Sequence, residues 1–309
     1  MPRTLRIAAV QAAPLIAGTS LAGFADEVRR LMSTDPSIGC IVYPELHLFG
    51  SDGTPEEQNE QLRKSAISLD GTFINELGEI AQAAGVWLVP GSVCERGLDD
   101  NFYNTAVVLS PRGELVASYR KIFPWRPYEF HTPGNQFVVF DIDGVGRIGL
   151  SICYDAWFPE VARHLAWMGA EVILNVVKTT TQDRPQEVVL AQANSIVNQT
   201  FTVSVNCAGP IGKGRSLIVD PEGAVLLASP DASVDVLSQT IDFEHVSRVR
   251  QYGTAGLNRM WSQFLPSDIG IELPLYSGRI DPERWAPQYS FGNSTDDSAA
   301  AGDERAVAN

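Results

Sequence analysis

Two periods alternate along the chain. Short apolar runs such as "LRIAAVQ", "CIVYPE", "VWLVPGS", "EVILNVV" and "FTVSVN" read as buried strands. Between them, apolar residues recur at three-and-four spacing. Leu21, Phe24, Val28 and Leu31 mark one helix, and Phe73, Leu77, Ile80 and Ala84 mark another that Gly85 closes. A helix is expected from about Pro159 to Met168, with Val161, Leu165 and Met168 on one face. Residues 185–199 form a further expected helix, with Val189, Ala193 and Ile196 turned inward. Three stretches read as hairpins: "NTAVVLSPRGELVASYRK", "FVVFDIDGVGRIGLSIC" and "SLIVDPEGAVLLAS". The Gly-rich "GPIGKGR" precedes a strand and does not open a helix, so it reads as a loop and not as a phosphate cradle.

Helices between strands imply crossovers, and hairpins imply antiparallel pairs. The sheets are therefore mixed, and the α/β architecture that fits is two sheets sharing a core with helices outside. No linker interrupts residues 1–275, which read as one domain. Residues 276–309 read as a C-terminal extension, disordered from about Phe291, where the chain turns to Gly, Ser, Asp and Ala.

Composition narrows the function. The net charge of −14 disfavours nucleic acid and anionic membrane surfaces as partners. No apolar stretch approaches the roughly 18 to 20 residues that cross a bilayer. The N-terminus lacks the layout of a signal peptide, so a cytoplasmic enzyme is expected. Cys40, Cys94, Cys153 and Cys207 lie far apart, without a C-x-x-C pair, and the four histidines show no ligand spacing. No Walker loop or dinucleotide fingerprint is present, and neither a metal nor a cofactor is inferred.

Three chemically apt residues each follow a strand: Glu45 after "CIVYP", Lys121 after "LVASYR" and Cys153 after "RIGLSI". Strand ends are where α/β folds assemble sites. A carboxylate beside a thiol can take its proton as sulfur attacks, then return it to a leaving amine. An ammonium nearby offsets charge on a developing oxyanion. Taken singly, each has a plainer reading: Cys153 as a core thiol, Glu45 as a solvated loop carboxylate, Lys121 as a surface ammonium. His131 reads as a loop hydrogen-bonder.

The chain resembles the nitrilase superfamily, the carbon–nitrogen hydrolases. The likeness covers roughly residues 5–245 and rests on "AAVQAAPLIAG", "IVYPELHLFG", "NTAVVLSPRGELVASYRKI", "FHTPGNQ", "GRIGLSICYDAWFPEVARHLAWMGAEVIL" and "GRSLIVDPEG". It implies a four-layer αββα sandwich, with Glu45 as general base, Lys121 as oxyanion stabiliser and Cys153 as nucleophile. The backbone N–H of Tyr154 would be a second oxyanion donor. Glu129 in "PWRPYEF" matches the family's second glutamate, either as a catalytic group or as a salt-bridge partner of Lys121. The Tyr-Asp after Cys153 resembles the amidase branches more than the nitrilases. Val197 in "NSIVNQ" departs from the family, which often has glutamate there. The resemblance also implies a homodimer, built on the helix after the nucleophile.

The implied reaction is hydrolysis of a small carboxamide to an acid and ammonia through a cysteine thioester. Tyr43, Trp125, Tyr128, Tyr154, Trp157 and Lys178 are candidate substrate-binding residues. The alternatives are an N-carbamoyl amine or amino acid hydrolase, for which Arg126 could supply a cation, a nitrilase, or a non-enzymatic binding protein on the same fold.

Overall fold

The computed structural model describes residues 2–263, 267–269 and 273. The first half of the chain gives β1 (Thr4–Gln11), α1 (Ala22–Thr34), β2 (Cys40–Val42), α2 (Pro55–Ser65) and α3 (Thr72–Ala84), then β3 (Trp87–Val89), β4 (Ser92–Arg96), β5 (Phe102–Leu109) and β6 (Leu115–Arg120). The second half gives β7 (Val139–Ile142), β8 (Gly146–Ile152), α4 (Pro159–Trp167), β9 (Val172–Val177), α5 (Arg184–Asn198) and β10 (Phe201–Asn206). It ends with β11 (Leu217–Val219), β12 (Val225–Ala228), β13 (Asp235–Asp242) and α6 (Phe243–Tyr252).

These strands make two mixed sheets. One runs β13-β1-β2-β3-β5-β4, with β6 also on β5; the other runs β12-β11-β10-β9-β8-β7. Alternate side chains of each strand face opposite ways, so each sheet has two apolar faces. Ile7, Val42, Val108, Ile152, Leu174 and Val205 pack between the sheets. Ala8, Val10 and Ile41 pack outward against Phe24 and Val28 of α1 and Leu77 of α3. Val161 and Leu165 of α4 cover Ile173, and Ala191 of α5 covers Leu217 and Val219. The result is the αββα sandwich.

The structure corrects two apolar faces. Met168 lies just past the end of α4 and is 37% exposed. In α5, Val189 and Ile196 are 63% and 44% exposed, and Ala193 is half-buried. The inward face carries Arg184, Glu187, Ser195 and Asn198 instead. The Arg184 guanidinium is 2.9 Å from Glu187 and also donates to the carbonyls of Gly214 and Arg215. A buried polar network took the positions that periodicity assigns to apolar side chains. The helix α2, the strand β13 along β1 and the helix α6 were not expected.

One compact unit spans 1–263 and a second spans 264–309. The expected domain end at 275 and the extension 276–309 fall in the second, and beyond residue 273 they lie outside the described residues. Among the described residues, no helix is long and apolar enough to cross a membrane.

His47 yields a stability prediction. Its ring is fully buried, stacked 4.7 Å from Tyr43, and neither ring nitrogen has a hydrogen-bond partner among the described residues. Burial pushes its pKa down to about 3 from 6.5. The unfolded chain therefore binds this proton first as pH falls, and stability is lost from about pH 6.5 downward. From pH 7.5 to 5.5 the expected loss from this one group is about 1.4 kcal/mol. Denaturant titrations of His47→Phe should lack that increment; an unchanged pH dependence would contradict the assignment.

Candidate active site

Lys121 follows β6 and is completely buried. Its ammonium lies 3.0 Å from Glu45 Oε1 and 2.5 Å from Glu129 Oε1. An ammonium has three protons. Two are directed to these carboxylates, and the third has no partner among the described residues. Burial alone would lower the Lys121 pKa, but Glu129, Glu45 and Cys153 together hold it well above the usual lysine range. Burial would raise the Glu129 carboxyl; Lys121 and His131 outweigh it and hold it at about 2. Both groups are therefore charged at neutral pH.

Glu45 sits beyond β2 on a tightly constrained loop. Leu46 adopts a positive φ of 49°, and its backbone N–H donates to Ser92 Oγ at 3.0 Å. Gly91 approaches so closely that an added Cβ would lie 1.7 Å from the Pro44 carbonyl oxygen; only glycine fits there. Glu45 Oε1 accepts from Asn104 Nδ2 at 2.7 Å as well as from Lys121. Its other oxygen has no hydrogen-bond partner among the described residues, which leaves it available to a proton donor.

Cys153 opens a short 3-10 turn (Cys153–Trp157) directly after β8, with a positive φ of 48°. A non-glycine residue held there costs of order 1 kcal/mol and marks a position the surroundings over-determine. Burial, then the Glu45 charge, raises the thiol well above its ordinary value, against the pull of Lys121. The resting group is a thiol that needs a base. The backbone N–H of Lys178 faces the same sulfur and favours its thiolate. Cys40, Cys94 and Cys207 are buried, and burial pushes each up to about 12.

Glu45, Lys121 and Glu129 are thus joined by direct contacts, with Cys153 electrostatically coupled to the first two. The aromatic candidates divide. Trp125 and Tyr128 pack with tilted rings, centroids 4.3 Å apart, beside Glu129, and Tyr128 is 53% exposed. Tyr154 and Trp157 are half-buried on the nucleophile turn, 6.0 Å apart. Tyr43 is not with them. It packs against Phe24, and its hydroxyl donates to Glu27 of α1 at 3.2 Å. It lies in the helix-facing core because it is one residue on from Val42, which faces the other sheet. Arg126 is exposed.

Sequence reasoning missed Asn104, Asp155 and the role of His131. In the β5–β6 hairpin Thr105 pairs with Arg120, so Asn104 comes opposite Lys121, and its carbonyl accepts from the Lys121 N–H at 2.8 Å. Counting register across the hairpin would have found it. Asp155 is fully buried and ties the lysine segment to the cysteine turn. Its Oδ2 accepts from Tyr119 Oη at 2.7 Å and Ile152 N at 3.1 Å; its Oδ1 accepts from Phe123 N at 2.9 Å. His131 is buried with Nδ1 3.6 Å from Glu129 Oε2.

Two layered mixed sheets with buried charged groups at their strand ends place the chain among α/β proteins that build sites on sheet edges. Residues 6–251 match the carbon–nitrogen hydrolase family, and the chain belongs to that family. It is 30% identical over 243 residues to a deaminated glutathione amidase of Dictyostelium discoideum, covering 71% of this chain and 81% of that one. It is 33% identical over 177 residues to a formamidase of Helicobacter acinonychis (strain Sheeba), covering 56% of this chain but only 52% of the formamidase. The chain thus spans about half the length of the formamidases it matches. Among solved structures it superposes on Saccharomyces cerevisiae Nit3, a member of branch 10 of the nitrilase superfamily. The TM-score is 0.72 at 24% identity, over 81% of this chain and 94% of that chain. An amidase from Nesterenkonia sp. gives 0.67 at 25% identity, over 84% and 97%.

Proposed function

We propose that the protein is a thiol amidase that converts a small carboxamide to its carboxylic acid and ammonia. The observation that carries this reading is the buried Glu45–Lys121–Glu129 row beside the half-buried thiol of Cys153. The Cys153 sulfur attacks the amide carbon while Glu45 takes the thiol proton. The oxyanion is met by the third Lys121 proton and the backbone N–H of Tyr154. Glu45 then passes its proton to the leaving nitrogen, the C–N bond breaks and ammonia departs. Water, losing a proton to Glu45, attacks the thioester; the C–S bond breaks and the thiol is restored. Glu129 keeps Lys121 charged and fixed. No cofactor enters.

An ammonia-release screen over short carboxamides, nitriles and N-carbamoyl amino acids tests this. Release from carboxamides is expected; release from nitriles alone would overturn it.

The chain is further proposed to act as a homodimer in the cytoplasm. Trp167 is 76% exposed at the end of α4, and Val189, Ile196 and Val197 are exposed on the adjoining α5. Arg163 of α4 bonds the Val197 carbonyl at 2.6 Å, which links the two helices. Sedimentation should give a dimer, and Val189→Lys with Ile196→Lys a monomer. A wild-type monomer at micromolar concentration would contradict this.

A further inference from the structure

Cys94 and His131 are buried groups that the proposed reaction does not use. Cys94 lies on β4 opposite Asn104 of β5, so the two side chains share one face of the sheet. Asn104 holds Glu45 through its Nδ2. The Cys94 sulfur is 3.7 Å from Nε2 of His131. The other ring nitrogen, Nδ1, lies 3.6 Å from Oε2 of Glu129, and Oε1 of Glu129 accepts from Lys121 at 2.5 Å. A single row of contacts thus runs from Cys94 through His131 and Glu129 to Lys121.

The row is held in place. The His131 ring stacks on Phe130 with centroids 4.3 Å apart and planes at 27°. The Arg63 guanidinium of α2 lies 4.1 Å from the Phe130 centroid. The backbone is tied down just beyond the histidine: the Thr132 N–H donates to the Phe102 carbonyl and the Gly134 N–H to the Lys121 carbonyl, both at 2.8 Å. Gly134 has no room for a side chain, since an added Cβ would lie 2.2 Å from the Arg120 carbonyl oxygen.

Charge decides which nitrogen carries the proton. Glu129 is ionised, and a carboxylate only accepts, so Nδ1 facing it carries the hydrogen. In the neutral ring Nε2 is then a bare acceptor. The Cys94 thiol, kept protonated by burial, is placed to donate to it. At 3.6 Å the Nδ1–Oε2 contact is longer than a hydrogen bond. Neither atom has a hydrogen-bond partner among the described residues, so each is left to the other. A buried carboxylate oxygen without a donor is costly, which draws the pair together once substrate fills the site.

We infer that His131, kept in its Nδ1–H form by the Cys94 thiol, is a positioning residue that fixes the Glu129 carboxylate and through it the Lys121 ammonium. His131 touches no reacting atom. Without it the Glu129 carboxylate is free to turn, and the ammonium it holds follows. The kinetic consequence rests on the amidase reading above; the place of the proton does not.

NMR of ring-labelled histidine reads that proton directly. At about pH 8.5, His131, assigned by its loss in His131→Asn, should carry hydrogen on Nδ1 and none on Nε2. Cys94→Ala should move part of that proton to Nε2, and Cys94→Ser should not. Two amide variants separate positioning from packing: asparagine puts an N–H where Nδ1 stands, and glutamine puts one where Nε2 stands. On a turned-over carboxamide, His131→Gln and His131→Phe should lower kcat at least about tenfold with KM little changed, and His131→Asn should keep most of it. Alkylation of Cys153 by iodoacetamide needs no turnover. Glutamine and phenylalanine should slow it at least about threefold, because the displaced ammonium supports the thiolate less, and asparagine should not. A bare Nδ1 overturns the inference. A proton on Nε2 in the wild type overturns the part given to Cys94. Equal rates in the wild type and the glutamine variant, or equal losses in the asparagine and glutamine variants, reduce His131 to a packing residue and leave the amidase reading standing. No ammonia from any carboxamide, with the alkylation pattern as expected, overturns the amidase reading and keeps the positioning role.

Discussion

Cys153→Ala should release ammonia more than about 10,000-fold more slowly than the wild type, with the fold intact. Alanine keeps the Cβ, so the positive φ of 48° is neither relieved nor worsened. What is lost is the sulfur, and with it the acyl acceptor. No other thiol can substitute: Cys40, Cys94 and Cys207 are buried and pushed up to about 12. Intact-mass measurement of the wild type, acid-quenched during turnover, should show one acyl group, and proteolysis should place it on Cys153. Because burial and Glu45 also raise the Cys153 thiol, its alkylation by iodoacetamide should stay slow at about pH 7 and climb above about pH 9. Turnover by the alanine variant, or an acyl group on another cysteine, ends the nucleophile assignment. A rate plateau below pH 7 would mean a resting thiolate and remove the need for Glu45 as base.

How far the sequence carries can be judged from particular elements. Strand β9 is legible because nearly every residue is apolar, and β10 because Phe201, Val203 and Val205 alternate with β-compatible polar residues. Helix α2 is not, because only Leu62 is buried. Its start is nevertheless written in the chain: Thr54 and Glu57 form a capping box around Pro55. β13 escapes notice because much of it stays accessible, so no apolar run announces it. In α5 the period is readable but the face is not, since the inward positions hold an ion pair whose partners lie in a distant loop. The site follows the same logic. Glu45, Lys121 and Cys153 can be picked out because each ends a strand. Asn104 depends on hairpin register, and Asp155 on a turn that carries its side chain back under two segments.

Asp155→Asn should lower kcat by about 100-fold or more while KM changes little. The carboxylate accepts three hydrogen bonds, from Tyr119, Phe123 and Ile152, which bracket Lys121 on one side and precede Cys153 on the other. It is a positioning residue: it sets where the ammonium and the sulfur stand relative to each other. An amide has one accepting oxygen, so at least one backbone N–H would face an NH2 group and be left unpaired. That costs about 1–3 kcal/mol of stability. A loss of stability alone is not diagnostic, but the pH profile is. Burial raises Asp155 to about 6, against the opposing pull of Lys121, Tyr119 and the two backbone donors. Below that pH the group is protonated, one acceptor becomes a donor, and the alignment fails. Since the folded value lies above the usual 3.8, the folded state takes the proton first as pH falls. Between about pH 6 and 3.8 this group therefore adds stability, so an activity limb near pH 6 cannot be its contribution to unfolding. The wild type should show that limb in kcat with circular dichroism unchanged, and the asparagine variant should lack it. An identical limb in both proteins, or a loss of kcat matched by loss of folded protein, would reduce Asp155 to a structural residue.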